Sequence, residues 1–356
     1  MKSIMLPIIP NSPITKTEKT KEGKFLLKRF GEFGLVKNVL FDESLIEYNG
    51  SYQNDQSNSG VFKEHMFSVY HILKERFPKG SDLVEVGCGK GAFLDIVKND
   101  GYFSYKGFDA AYEGGDKRIE LRYLTSEDSI IADVVVLRHT LEHIKSPFMF
   151  LKLLKKIFSP NALVFIEVPQ FNWIEKNKVL FDFSYEHVNY FTSKALCSMF
   201  SDVESFDDLF GGQYQYCLAN LTSLTDVGWD SFDNEEKWNK FDFSSFVNSF
   251  QSSIKHLEEY DRIWIWGGAT KGVLFLKHLL DISPSFFNRI VGVVDINPKK
   301  QGLFTPSTKL EIVPPSTLYD FCNDGDVVLV MNPNYCGEVK DSIARSVGKR
   351  VSVLSL

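Results

Sequence analysis

The apolar residues of the chain form a sparse N-terminal region, followed by two series in which short apolar runs alternate with helical stretches. The first 40 residues are polar and irregular, and the polar run within residues 42–59 cannot form a core element. Apolar residues at positions 62, 66, 69, 70, 73 and 77 follow the helical period. They predict a helix with one buried face over residues 61–77.

The first series begins near residue 82. Runs of β-branched residues predict strands at residues 83–86, 105–108, 133–137 and 162–168, and helical patterns cover residues 92–98 and 148–158. Strands that alternate with helices predict a parallel sheet covered on both faces. Ligands of such sheets bind beyond the carboxyl ends of the strands, so strand ends are where functional residues are expected.

The second series follows a polar segment, residues 226–260, which we interpret as a connector that ends in a helix. Strands are predicted at residues 263–266, 290–294 and 327–330, with a helix from about residue 271. The fold class is therefore α/β, with two units in succession. We place the boundaries at residues 1–75 for an N-terminal segment, 76–225 for the first unit, 226–260 for the linker and 261–356 for the second unit.

Composition agrees with this organisation, because 356 residues suffice for about two domains. Apolar residues make up 44% and charged residues 24%, which excludes a disordered chain. The net charge of −6 argues against a nucleic-acid binder with a general basic field. No apolar run approaches the length of about 18 residues that a membrane span needs. Residues 1–10 are also too broken by proline for a secretory signal. We expect a cytoplasmic protein without a membrane or nucleic-acid partner.

A glycine-rich segment, EVGCGKG at residues 85–91, directly follows the first predicted strand and opens a helix. Glycines at such a turn let the backbone approach a ligand closely, and the helix start supplies unpaired N–H groups. A tight turn without a ligand would have the same local pattern. Asp109 ends the next strand, where a carboxylate can accept both hydroxyls of a ribose, and this combination is more specific than the glycines alone.

These residues resemble motif I and the acidic loop of class I S-adenosylmethionine (SAM)-dependent methyltransferases. Further segments are similar to the sugar C-methyltransferase family: LRHTLEHI at residues 137–144, YEHVNYFT at 185–192, GGATKG at 267–272 and VDINPKKQG at 294–302. In that family a Rossmann-like methyltransferase domain is followed by a smaller Rossmann-like domain. Its described members methylate nucleotide-linked keto-deoxysugars.

The resemblance implies SAM as cofactor and a nucleotide sugar as the small-molecule partner. It implies a role in surface-polysaccharide or secondary-metabolite biosynthesis, with base-assisted methyl transfer to carbon or to oxygen. The oligomeric state stays open. The residues that would bind the cofactor are Glu85, Gly87, Cys88, Gly89, Gly91, Asp109, Arg138 and His139, the last two beside its methionine half.

One departure from the family concerns the N-terminus. Family members usually begin with a four-cysteine zinc module, and residues 30–38 resemble its second half with both cysteines replaced. No cysteine precedes Cys88. Because structural zinc needs four nitrogen or sulfur ligands, we predict that no metal is bound.

Candidate catalytic residues lie in two of the family segments. His187 is proposed as the general base, since an imidazole can titrate near neutral pH and Glu186 could orient it. Tyr185 is the alternative at the same segment, and Glu186 and His187 could instead pair to fix a loop. His143 either faces the substrate or is a hydrogen-bonded structural residue. Residues 139–143 also match the H-x-x-E-H pattern of zinc peptidases, but their place after a buried strand argues against a peptidase.

The second unit repeats the logic of the first, with a glycine-rich turn at residues 267–272 after a strand. Lys271 would add charge for a phosphate, and Asp295 ends the next strand, where a ribose carboxylate would lie. We place both, with Tyr52 from the polar segment before the first helix, among the residues that contact substrate. A packing module without a ligand is the alternative. For the whole chain, the alternatives are a methyltransferase of another small molecule and a non-catalytic module that binds SAM or a nucleotide.

Overall fold

Short strands occupy the N-terminal segment. The computed structural model describes residues 3–31, 33–47, 52–53, 56–226, 229, 232, 234–348 and 350–356. The first strands are β1 (Ile4–Pro7), β2 (Glu22–Phe25), β3 (Leu27–Phe30) and β4 (Val36–Asn38). β1 pairs with β2, and β3 with β4, each antiparallel. None of these four strands was predicted from the sequence. Each strand is too short to show a pattern, yet Leu6, Phe25, Leu27 and Phe30 are buried.

Helix α1 and the first large sheet follow. They comprise α1 (Gly60–Arg76), β5 (Asp82–Val86), α2 (Ala92–Asp100), β6 (Ser104–Phe108), β7 (Ile119–Glu120), β8 (Val134–Arg138), α3 (Pro147–Ile157), β9 (Leu163–Pro169), α4 (Phe171–Asn177), β10 (Asn189–Tyr190), α5 (Ser193–Cys197), β11 (Val203–Leu209) and β12 (Tyr214–Asn220). The predicted helix 61–77 and the four predicted strands are confirmed, with ends that shift by one or two residues.

The strand order of this sheet is β11-β12-β9-β8-β5-β6-β7. Strands β5 to β9 run parallel, whereas β12 is antiparallel to both β9 and β11. The order changes direction between β5 and β8, which is the switch point where parallel α/β sheets bind ligands. β10 lies outside this sheet and pairs with β4, so the N-terminal strands are attached to the first unit.

The segment after this sheet contains β13 (Trp238–Lys240) and α6 (Ser244–His256). β13 pairs with β3 of the N-terminal segment, more than 200 residues earlier in the chain. α6 buries Phe246 and Phe250 in a core that also contains Phe25 and Phe275. Residues 226–260 therefore join the N-terminal strands to the second unit in addition to connecting the two units.

The second sheet is parallel throughout, with strand order β16-β15-β14-β17-β18. Its elements are β14 (Ile263–Trp266), α7 (Thr270–Ile282), α8 (Pro284–Phe287), β15 (Ile290–Val294), β16 (Ile312–Val313), α9 (Pro315–Phe321), β17 (Val327–Val330), α10 (Cys336–Ser346) and β18 (Ser352–Ser355). The two predicted α/β units are confirmed. Among the described residues, no helix combines the length and the apolar character that crossing a membrane requires.

Candidate active site between the two sheets

Residues at the carboxyl ends of strands from both sheets line one cavity of about 350 Å³. The first sheet contributes the loop after β5 and the residues that follow β8. The second sheet contributes the turn after β14, the end of β15 and the residues after β17. Both glycine-rich segments found in the sequence therefore face the same space.

The loop after β5 depends on two glycines. Gly87 has a φ of 78°, and a Cβ at this position would lie 2.3 Å from the Thr140 hydroxyl oxygen. Gly89 has a φ of 56°, and a Cβ there would meet no atom within 4 Å. Larger residues are thus excluded at Gly87 by contact and disfavoured at Gly89 by its left-handed backbone. The loop keeps its backbone open to the cavity.

Asp109 fixes this loop from the end of β6. Its carboxylate accepts hydrogen bonds from the backbone N–H of Gly89 at 2.8 Å and of Ala111 at 2.7 Å. Burial raises the pKa of the Asp109 carboxyl, and the two backbone hydrogen bonds lower it in part. Gly91 begins α2 on the far side of the loop with a φ of 83° and does not line the cavity.

Glu85, at the end of β5, is a buried carboxylate on the cavity wall. Among the described residues, its Oε2 atom has no hydrogen-bond partner. Burial raises the pKa of Glu85 to about 8, since the nearby Arg138 charge offsets only part of the desolvation. Such a group favours a ligand that brings a positive charge. Cys88 lines the same wall, and burial raises the pKa of its thiol.

A charged network lies behind the end of β8. The Arg138 Nε donates to Glu167 at 2.6 Å, and the His65 ring lies 2.5 Å from the other oxygen of Glu167. His139 has the left-handed φ of 50° and contacts both Glu167 and Glu142. Burial alone would lower the pKa of His139, but the two carboxylates raise it to about 9. Arg138 and His139 both line the cavity, and their contact with the cofactor stays a prediction. His65 and Glu167 were not anticipated from the sequence.

Glu142, His143 and His187 form a second cluster on the cavity wall. One nitrogen or oxygen atom from each lies within 4.8 Å of the others, and the two imidazole rings meet edge to face at 4.9 Å. Burial lowers the pKa of His143, and it lowers the pKa of His187 to about 3. Burial would raise the pKa of Glu142, but the nearby His139 ring, 3.7 Å away, and the charges of the other imidazoles hold it below its ordinary value. The imidazole of His187 is therefore neutral at physiological pH, and it does not titrate near neutral pH as the sequence predicts.

Two predicted catalytic residues lie away from this cavity. Tyr185 is fully buried in the hydrophobic core, its ring packs on Gly23, and its phenol oxygen accepts from the backbone N–H of Asp42 at 2.9 Å. Glu186 is also buried and does not line the cavity. The core position of Tyr185 makes it a structural residue, and Glu142 is the carboxylate beside His187. Tyr185 and Glu186 directly precede His187 in the chain, but they do not line the cavity that His187 lines.

The candidate substrate residues of the second unit do reach the cavity, together with Tyr52. Asp295 accepts from the backbone N–H groups of Gly268 at 2.9 Å and Asn297 at 2.8 Å. The Lys271 ammonium lies 2.8 Å from Asp182 of the first unit, so its charge is already paired.

The start of α7 is capped by a residue that the sequence reasoning missed. Asn11 accepts from the backbone N–H of Thr270 at 3.1 Å and donates to its hydroxyl at 2.8 Å. Asn11 thus occupies the N–H of Thr270 and Asp182 the charge of Lys271, while a phosphate at this helix start stays a prediction.

Two groups of three side chains within the described part of the chain bring metal-ligand atoms close together: His65, His139 and Glu167, and Glu142, His143 and His187. In the first group, Glu167 is paired with the Arg138 guanidinium, and this charge disfavours a second cation. Neither group includes a residue of the N-terminal strands. That the N-terminal region folds without zinc stays a prediction.

Two family models match successive parts of the chain. One, described as a methyltransferase domain, matches residues 62–204, and the other, described as a C-methyltransferase C-terminal domain, matches residues 228–353. The chain is a class I methyltransferase of the C-methyltransferase type. Its cofactor is SAM. The first sheet forms the methyltransferase domain, and the second forms the C-terminal α/β domain.

Solved methyltransferase structures resemble part of this methyltransferase. A SAM-dependent methyltransferase from Archaeoglobus fulgidus is 20% identical over 42% of this chain and 73% of its own, with a TM-score of 0.34. One from Aquifex aeolicus is 16% identical over 46% of this chain and 98% of its own, also with a TM-score of 0.34. No curated protein matches the sequence.

The residues of this methyltransferase fit SAM. The Glu85 Oε2 atom, which has no hydrogen-bond partner in the described part of the chain, suits the cationic part of the cofactor. The open backbone at Gly89 leaves room for a ligand against the loop. The Asp109 carboxylate can accept hydroxyl groups with the acceptor positions that its two backbone donors leave.

Proposed function

We propose that this methyltransferase acts on a nucleotide-linked deoxy or keto sugar and methylates it at carbon or oxygen, in surface-polysaccharide or secondary-metabolite biosynthesis. The observation that carries the proposal is the shared cavity. It brings the cofactor loop, the pair His143–His187 and the second Gly–Asp turn around one space of about 350 Å³. A substrate with a nucleotide at one end and a reactive sugar at the other would use both units.

The residues on the cofactor side of the cavity bind and orient SAM. Asp109 does not itself line the cavity but holds Gly89 of the loop, and it takes the ribose in this proposal. Glu85, Arg138 and His139 line the cavity, and Glu85 takes the positive charge of the amino acid part. SAM, when bound, supplies an activated methyl group, so the protein has mainly to align donor and acceptor and to remove one proton.

His187 is the proposed base, because its imidazole is neutral at physiological pH and faces the cavity. For a carbon acceptor it takes a proton next to a ketone, and for an oxygen acceptor it takes a hydroxyl proton. Glu142 lies where its negative charge would stabilise the imidazolium that forms. His143 packs against His187 and is the second candidate for the base.

The test is a screen of purified protein and SAM against a panel of nucleotide sugars and unlinked small molecules, read by mass spectrometry. A nucleotide sugar should gain the mass of one methylene unit, and the Asp109→Ala variant serves as the cofactor-deficient control. For a keto sugar, deuterium uptake beside the ketone in heavy water would indicate transfer to carbon. Turnover of unlinked small molecules alone would contradict the proposed substrate.

A further inference from the structure

The second group of metal-ligand side chains comes from two segments of the methyltransferase domain that are fixed to each other. Glu142 and His143 lie in the short 3₁₀ turn that follows β8, and His187 lies two residues before β10. The side chain of Asn189, at the start of β10, donates to the carbonyl of Ile144 at 2.6 Å. The three candidate ligands are therefore held together although they are distant in the chain.

The three side chains line the shared cavity, and one nitrogen or oxygen atom from each lies within 4.8 Å of the others. A zinc ion with bonds of about 2.0–2.2 Å spaces its ligand atoms roughly 3.4 Å apart, so side-chain shifts of about 1 Å would complete the coordination. Two imidazoles and one carboxylate, with a further position open to a cavity, are the ligand set of open zinc sites. Related ions that prefer imidazole share this set.

The Glu142 carboxylate has acceptor positions that no described residue uses. Glu142 is 1% exposed, and neither of its oxygens has a hydrogen-bond partner in the described part of the chain. The His139 ring lies 3.7 Å away. In the other group of ligand atoms, by contrast, Glu167 accepts from the Arg138 Nε at 2.6 Å. Because a buried carboxylate without hydrogen bonds is costly, Glu142 favours a ligand that brings positive charge.

His143 is oriented as metal-binding histidines are. Its ring hydrogen-bonds the backbone carbonyl of Glu186, so in the neutral imidazole the other ring nitrogen carries the lone pair. Histidines that bind metals usually make such a bond through the nitrogen that does not touch the ion. The ring of His143 also meets that of His187 edge to face at 4.9 Å. The two imidazoles are thus held side by side on one wall of the cavity.

We propose that Glu142, His143 and His187 bind one divalent transition-metal ion with the ligand preferences of Zn²⁺, and that this ion inhibits methyl transfer. The inhibition rests on the proposed function, because a His187 nitrogen that ligates an ion cannot accept a proton from the substrate. The binding does not depend on the substrate. The sequence prediction that no metal is bound concerns the N-terminal segment, and these ligands lie outside it. The metal-free protein is the active form, and chelator dialysis should yield it.

Titration calorimetry of the full-length, chelator-dialysed protein with ZnCl₂ measures the binding. One ion should bind per chain, and the affinity for S-adenosylhomocysteine (SAH), titrated in parallel, should be the same with and without zinc. Glu142→Gln and His187→Gln should each weaken zinc at least tenfold, since each removes a ligand. His65→Gln alters a histidine of the other group and is the matched control, so it should bind zinc as the unaltered protein does.

X-ray absorption at the zinc edge decides on the unaltered protein, in case a variant does not fold. The spectrum should show nitrogen and oxygen ligands only, with the scattering pattern of imidazole. Sulfur scattering would place the ion at a cysteine, all of which are free thiols in the described part of the chain, and would overturn the site.

Three further results would each overturn the site: no stoichiometric zinc binding, unchanged zinc affinity in both ligand variants, or an equal loss in His65→Gln. With a substrate that is turned over, zinc should stop methyl transfer and a chelator should restore it. Full turnover with the site occupied would overturn the inhibition. The proposed function fails separately, if no nucleotide sugar is methylated, because the zinc site is decided without a substrate.

Discussion

Glu85→Gln replaces the buried carboxylate of the cofactor loop by a neutral side chain of the same size. Because burial raises the pKa of Glu85 to about 8, the folded protein holds its proton at pH values where the unfolded chain, with an ordinary value of 4.5, has released it. Stability must therefore fall as pH rises between these two values. The variant removes this dependence.

The size of the effect follows from the two pKa values, since a tenfold difference in proton affinity corresponds to about 1.36 kcal/mol. Between pH 5 and pH 9 the wild-type protein should lose about 4 kcal/mol of unfolding free energy through this group alone. At pH 7 the carboxyl is protonated in about nine-tenths of the molecules, so a ligand that brings a positive charge should release up to about 0.9 proton.

Urea unfolding at a series of pH values measures how the unfolding free energy falls with pH. Titration with SAH in buffers of different ionisation enthalpy measures the number of protons released on binding. Glu142→Gln is a matched control, because Glu142 is another buried carboxylate on the same cavity and its pKa is held below the ordinary value. Its variant should lose stability above pH 5, while Glu85→Gln should gain it.

Identical pH slopes for wild-type protein and Glu85→Gln would refute the reasoning, and so would SAH binding without proton release. Weaker SAH binding by Glu85→Gln combined with greater stability at pH 9 would show that the carboxylate is retained for the ligand at a cost to the fold.

Four further predictions follow. Asp109→Ala should retain its fold and weaken SAH at least tenfold by calorimetry, as two charge-assisted hydrogen bonds are each worth roughly 1.5–3 kcal/mol; an unchanged dissociation constant would contradict the ribose assignment. His187→Gln should lower turnover by about 10²–10⁴-fold with SAH affinity preserved, and near-normal turnover would move the role to His143. Elemental analysis after chelator dialysis should find no stoichiometric zinc and an unchanged melting temperature; one tightly held zinc per chain would contradict this. Asn11→Ala should cost roughly 0.5–2 kcal/mol in urea unfolding through the lost helix cap, and no change would mean that water replaces it.

Seven strands of the two sheets could be predicted from sequence because most of their residues are buried in apolar runs, whereas β7, β11, β12, β16 and β18 were not predicted. The strands Ile263–Trp266, Ile290–Val294 and Val327–Val330 were predicted to the residue, since an uninterrupted apolar run marks a central parallel strand. The N-terminal strands give no such signal. β3 buries only its two end residues, and its partner β13 lies more than 200 positions away.

The residues of the candidate site likewise fall into those that the sequence reveals and those that it does not. The loop at residues 85–91 and Asp109 are recognisable because their spacing along the chain sets their geometry. Asn11, Asp182 and His65 were missed because their partners lie 259, 89 and 102 positions away. Tyr185 was misassigned since the sequence does not show which way a side chain points in a loop, and its contact with Asp42 spans 143 positions.

The N-terminal strands have a consequence for synthesis on the ribosome. Asn11 meets Thr270, and the ammonium of Lys309 meets the carbonyl of Glu18, 291 positions earlier. β1 and β3 can pair with β2 and β4 as soon as these emerge, but β13, which pairs with the other edge of β3, and Thr270, which Asn11 caps, emerge more than 200 residues later. The methyltransferase domain can form its sheet in the meantime. One edge of β3 therefore stays unpaired through most of translation, and the enzyme is completed only when the last third of the chain returns to its beginning.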